Sequence, residues 1–169
     1  QECLRAQSEA PSRNPLSRLV GRTPLRGEAR GWLEVAGTER DVASYLAELG
    51  SNWTILRDAA DAAHGEVPHL VIGPPGIFSV TTRRSPAQRI TSDGYVVTAD
   101  GQESDGMRVA LGNATRAGRQ LAEASRAHVE ATPLLVVAGA TSIRLGKNTP
   151  AADIIRSNEL RRWFIGRAR

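Results

Sequence analysis

The feature that most constrains this chain is a short apolar run, a Gly-Pro-Pro-Gly turn and a second β-rich run. His69-Leu70-Val71-Ile72 precedes Gly73-Pro74-Pro75-Gly76, and Ile77-Phe78-Ser79-Val80-Thr81-Thr82 follows it. Two such runs around a Gly/Pro turn form a hairpin. The first run has almost no polar position, so it belongs inside a sheet with both faces covered. The expectation is therefore an antiparallel hairpin over residues 68–83 within a larger α/β sheet.

The surrounding pattern supplies the other elements. Val42, Ala43, Leu46 and Leu49 recur at helical spacing before Gly50, a helix-stop residue. Residues 53–56 and 95–98 have short strand patterns, and the second is followed by an Asp100-Gly101 turn. Ala110, Ala114, Ala117, Leu121, Ala124 and His128 stand three or four apart and predict a long helix over 107–130. A buried strand is expected over 133–138, shorter strands over 142–145 and 153–155, and a closing helix over 157–165 with Leu160, Phe164 and Trp163 inward. Residues 1–36, with Pro11, Pro15 and Pro24 among Ser, Arg and Gly, have little apolar periodicity. They are expected to be a basic, largely flexible arm, and 37–169 the folded domain.

Charge is distributed unevenly over the 169 residues. Residues 1–30 hold six Arg and three Glu, and 156–169 hold five Arg and one Glu. The stretch between has eleven basic and fourteen acidic residues, so the net +4 is +3 and +4 from the two ends and −3 from the middle. A domain that grips nucleic acid through its folded surface normally has the opposite distribution. Lys147 is the only lysine, which leaves arginines that stay protonated and cannot act as bases near neutral pH.

One cysteine, Cys3, excludes a disulfide framework and a thiolate metal cluster. No apolar run approaches the roughly 20 residues of a membrane span, and no signal-peptide pattern is present, so a cytoplasmic location is expected. Sequons at Asn52 and Asn113 carry little weight without such a signal. Residues 139–147 are too loosely spaced in glycine, and lack the Ser/Thr after Lys147, for a phosphate loop. Three scattered histidines, His64, His69 and His128, do not make a zinc spacing. His69 is expected to be a hydrogen-bonded core residue.

The segment Val67-Pro-His-Leu-Val-Ile-Gly-Pro-Pro-Gly-Ile-Phe-Ser-Val-Thr-Thr-Arg83 resembles the NERD (nuclease-related) domain family. The resemblance extends upstream to Gly37-Thr-Glu-Arg-Asp-Val-Ala and downstream through the Asp-Gly turn, the Ala-rich helix, the Pro133-Leu-Leu-Val-Val strand and Glu159-Leu160, and so covers about 37–165. It implies a three-layer, restriction-endonuclease-like α/β fold with a mixed central sheet flanked by helices. It also implies the PD-(D/E)xK chemistry of that group, in which strand carboxylates hold Mg²⁺ and a lysine helps the attacking water.

Carried over position by position, most of that site is missing. Glu39 stands at the helical glutamate and is retained. Pro68 stands at the aspartate, Thr81 at the strand glutamate and Arg83 at the lysine. Proline offers no side-chain oxygen, threonine is a poor Mg²⁺ ligand, and arginine keeps the charge but not the proton chemistry. Glu66 lies two residues before Pro68, on the same face of an extended strand, and is the one nearby substitute, with Asp58 and Asp61 on the preceding loop. Arg83, Arg84 and Arg89 are candidate phosphate contacts.

The expectation is thus a pseudoenzyme with no cofactor, acting as a binding or accessory module in DNA processing or defence and contacting DNA through its basic ends. One alternative is an active Mg²⁺-dependent nuclease with relocated acids. Another is a protein-interaction domain with no nucleic-acid role, which the acidic middle of the chain favours.

Overall fold

The computed structural model describes residues 27–57, 69–87 and 89–168. They form an α/β arrangement with two mixed sheets. In chain order the elements are α1 (Gly27–Ala47), β1 (Thr54–Arg57), β2 (His69–Gly73), β3 (Gly76–Arg84), β4 (Arg89–Asp93), β5 (Val96–Ala99) and β6 (Gln102–Ser104). Then follow α2 (Gly106–Ser125), β7 (Thr132–Ala138), β8 (Ser142–Leu145), β9 (Asp153–Arg156), a 3-10 turn (Ser157–Glu159) and α3 (Leu160–Arg167). No helix among the described residues is long and apolar enough to cross a membrane.

Helix α1 begins at Gly27, ten residues inside the segment read from sequence as an arm. Helical propensity accounts for it: Glu28, Ala29, Arg30, Leu33, Glu34 and Ala36 favour the helix although their apolar spacing is weak. The chain divides into two units at Arg40, with the described residues 27–40 in the first and those from Asp41 in the second. Within the second unit, Val42 and Leu46 at the end of α1 are fully buried.

The larger sheet has the order β1-β2-β3-β7-β9. β2 and β3 pair antiparallel from His69↔Val80 to Gly73↔Gly76, the hairpin expected from the Gly-Pro-Pro-Gly turn. β3 then pairs parallel with β7, and β7 parallel with β9. Strand periodicity sorts the side chains onto two faces. Val71, Phe78, Val80, Leu134, Val136 and Ile155 share one core with the end of α1 and with Leu160 and Phe164 of α3. Leu135, Val137 and Ile154 share the other with Met107 and Ala110 of α2 and with Ile90 and Val97 of the smaller sheet. Full burial of residues such as Phe164 and Leu46 contributes about 1.5–3 kcal/mol each. His69 is buried on β2 opposite Val80, as a core histidine should be.

The smaller sheet, β6-β5-β4-β8, was only partly foreseen. β5 and β8 fall where the patterns at 95–98 and 142–145 pointed, and β6, which was not foreseen as a strand, follows the expected Asp100-Gly101 turn. Asp100 and Gly101 both have positive φ (47° and 86°), which suits a two-residue hairpin turn. β4, residues Arg-Ile-Thr-Ser-Asp, was missed because it follows a Pro-containing linker and has one large apolar side chain. It buries Ile90 and Ser92 between β5 and β8.

α2 ends at Ser125, not near 130, because Arg126 adopts the left-handed conformation (φ 55°, ψ 31°). His128 lies beyond the helix, exposed, with its ring 3.3 Å from Glu130. The closing segment matches expectation. The Glu159 carboxylate accepts the Arg156 backbone N–H (3.2 Å) and its guanidinium (2.6 Å), fixing the entry to α3. That hydrogen bond with Arg156 holds the Glu159 carboxyl below its ordinary range. Trp53, Phe78, Trp163 and Phe164 stack edge to face with centroids 4.9–5.4 Å apart.

Candidate functional site

Alternation along β3 puts Ser79, Thr81 and Arg83 on the face that meets α2, so the two β3 positions singled out from sequence, 81 and 83, lie side by side. Thr81 pairs with Leu135 across the parallel ladder, and Arg83 with Val137. Thr81 is 1% exposed, and its hydroxyl oxygen accepts a hydrogen bond from Asn113 Nδ2 at 2.9 Å. The Asn113 carbonyl oxygen in turn accepts from the Arg116 guanidinium. A neutral amide thus fills the space beside Thr81, and the buried polar groups satisfy one another.

Arg83 meets a different partner. Its guanidinium donates to Asp105 Oδ1 at 2.8 Å, and Arg108 donates to Asp105 Oδ2 at 3.2 Å. Asp105 immediately precedes α2, where an Asp ordinarily caps the first free N–H groups. Here its side chain makes no cap hydrogen bond and serves the two arginines. Ser104 Oγ instead accepts the Gly106 N–H at 3.3 Å. A cavity of about 140 Å³ opens beside this cluster, lined by Arg83, Arg84, Ser104 and Asp105 and floored by Leu135 and Val137.

Among the other expected site residues, Arg84 is exposed at the end of β3. Arg89 is exposed at the start of β4, where its backbone N–H donates to Asp100 Oδ1 at 2.9 Å. The cavity brings Arg83 and Arg84 together, and Arg89 is not among its described lining residues. Glu39 is half-buried on α1, in the unit that ends at Arg40. Glu66, Pro68, Asp58, Asp61 and His64 lie outside the described residues.

The donor set on β3 does not suit Mg²⁺, which wants several anionic or carbonyl oxygens. Thr81 gives one neutral hydroxyl already engaged by an amide N–H, Arg83 brings a positive charge, and Asp105 is shared by two guanidinium groups. No group of three or more His, Cys, Asp or Glu side chains able to hold a metal occurs among the described residues. The charged side chains lining the cavity are two arginines and an aspartate that already pairs with Arg83 and Arg108.

Sequence reasoning missed Asn113 and Asp105. Asn113 follows Ala110 by three, so it falls on the apolar stripe of α2, and a polar residue on a buried stripe was the available signal. It is 5% exposed in the fold, which removes any weight from its sequon. The ion pair of Asp105 spans 22 residues and had no local signal. Compared with protein-family models, curated proteins and solved structures, the chain matches none.

Proposed function

We propose that this chain is a nuclease-related domain of the NERD type whose metal site has been dismantled, and that it acts as a binding or accessory module in DNA processing or defence. In this reading the α/β arrangement is the three-layer restriction-endonuclease-like fold. The observation that carries it is the pair of β3 contacts. Thr81 and Arg83, side by side where the resemblance puts glutamate and lysine, are engaged by Asn113 and Asp105. Restoring one carboxylate would not rebuild a site whose space an amide fills and whose cation an aspartate holds. What such a module retains is phosphate contact, through the Arg-rich ends of the chain and through Arg84 and Arg89, with Arg83 contributing only at the expense of its Asp105 pair.

The test is incubation of the full chain with plasmid and single-stranded DNA in Mg²⁺ or Mn²⁺. No cleavage is expected. Chelator-sensitive cleavage that disappears in Glu39→Ala would overturn the proposal in favour of an active enzyme with relocated acids.

A further inference from the structure

Arg83 and Arg108 converge on Asp105, one guanidinium on each carboxylate oxygen, at 2.8 Å and 3.2 Å. Arg83 comes from the end of β3 and Arg108 from the first turn of α2, so two separate elements bring their cations to one anion. A phosphodiester presents arginine with a similar pair of anionic oxygens, and Asp105 occupies the place that such a group would take. Arg84 lies exposed on the rim of the same cavity.

Little in the fold needs the Asp105 carboxylate. Ser104 Oγ accepts the Gly106 N–H at the start of α2, and the Val109 N–H bonds the Asp105 backbone carbonyl at 3.0 Å. The Asp105 side chain itself makes no cap hydrogen bond. Its ion pairs are partly exposed, with the Asp105 side chain at 52% and that of Arg108 at 77%, so solvent screens them and a competing anion displaces the carboxylate at small cost. The displaced carboxylate is not stranded either. It stays at the positive end of α2, whose first turn holds no acidic residue.

We infer that the Arg83–Asp105–Arg108 contact is an autoinhibitory latch. In the free protein Asp105 holds two arginines that can otherwise take a backbone phosphate, and a nucleic-acid strand engages them only by displacing it. The latch rests on the phosphate-contact reading of the proposed function, and it makes Asp105 the residue that sets how tightly this face binds.

The test is the fluorescence anisotropy of an end-labelled DNA duplex titrated with the full chain at several salt concentrations, for the parent and for Asp105→Asn. The variant keeps the shape of the side chain and should bind about two- to fivefold tighter, the range expected for releasing partly exposed ion pairs. Its log–log salt slope should steepen by about 0.9–1.8 units as one or two arginines reach phosphates. Glu103→Gln removes an exposed charge two residues away and should leave the slope unchanged. In an Arg83→Gln, Arg108→Gln background the effect of Asp105→Asn should vanish. Binding by Asp105→Asn where the parent shows none would also support the latch. An unchanged slope in Asp105→Asn, an equal gain in Glu103→Gln, or a gain that survives without the two arginines would overturn the latch and leave the DNA reading standing. No binding by parent or Asp105→Asn at low salt would overturn both.

Discussion

Thr81 and Asn113 decide at the residue scale how the cluster on β3 is read. If the amide is what keeps the buried hydroxyl satisfied, Asn113→Ala should cost roughly 2–3 kcal/mol in urea unfolding, from the orphaned Thr81 oxygen and the space left behind. The double variant Thr81→Val with Asn113→Leu should recover much of that loss, since removing both polar partners is far cheaper than removing one. A single variant indistinguishable from the parent would mean the contact holds nothing. Glu159 offers a second residue-scale check. Its folded carboxyl is held low, chiefly by the hydrogen bond to Arg156, so its contribution is present above the ordinary carboxylate range and fades as pH falls through the folded value. The side chain is 41% exposed, so screening trims the ion pair, and Glu159→Gln, whose amide oxygen can still accept the Arg156 N–H, should cost about 0.5–1 kcal/mol near neutral pH as the lost charge-assisted bond to the guanidinium. That gap should close in acid, as thermal melts across the pH range would record, and a pH-independent gap would contradict the assignment. The chemistry of the side chains at 81 and 83 was legible in the sequence, but what engages them was not, because Asn113 and Asp105 lie 32 and 22 residues from their partners.

Elements whose signal is local were the ones that sequence located. The β2–β3 hairpin has its turn residues, its β-branched runs and its register in one stretch of chain, and β7 is a continuous apolar run. The end of α2 was not legible, because no Gly or Pro marks it and the stripe runs on to His128. Arg126 takes the left-handed cap position that glycine usually holds. Arg126→Gly should therefore stabilise the protein by about 1 kcal/mol in denaturant unfolding, the left-handed cost relieved at an exposed site. A loss of stability would mean that the arginine side chain contributes more at the cap than its backbone costs. The start of α1 was hidden for a related reason: its first turns are helical by propensity without a clear apolar stripe.

For the whole molecule the central question is whether a chain with an acidic middle and basic ends holds DNA without cutting it. Residues 1–26, ahead of α1, carry five Arg and two Glu. If they lie on the phosphate backbone, their removal should flatten the salt dependence of binding by up to roughly 2–3 units of log–log slope. Arg83→Ala with Arg84→Ala and Arg89→Ala should weaken binding further if the β3 cavity holds part of the strand. The direct measurement is the fluorescence anisotropy of an end-labelled DNA duplex mixed with the full chain in Mg²⁺, followed over time at several salt concentrations. The account predicts a rise that is steep in salt, indifferent to sequence and stable for hours. No rise at low salt would contradict the DNA-binding claim and leave a protein-interaction domain. A rise that decays, and that a chelator makes permanent, would contradict the dismantled metal site.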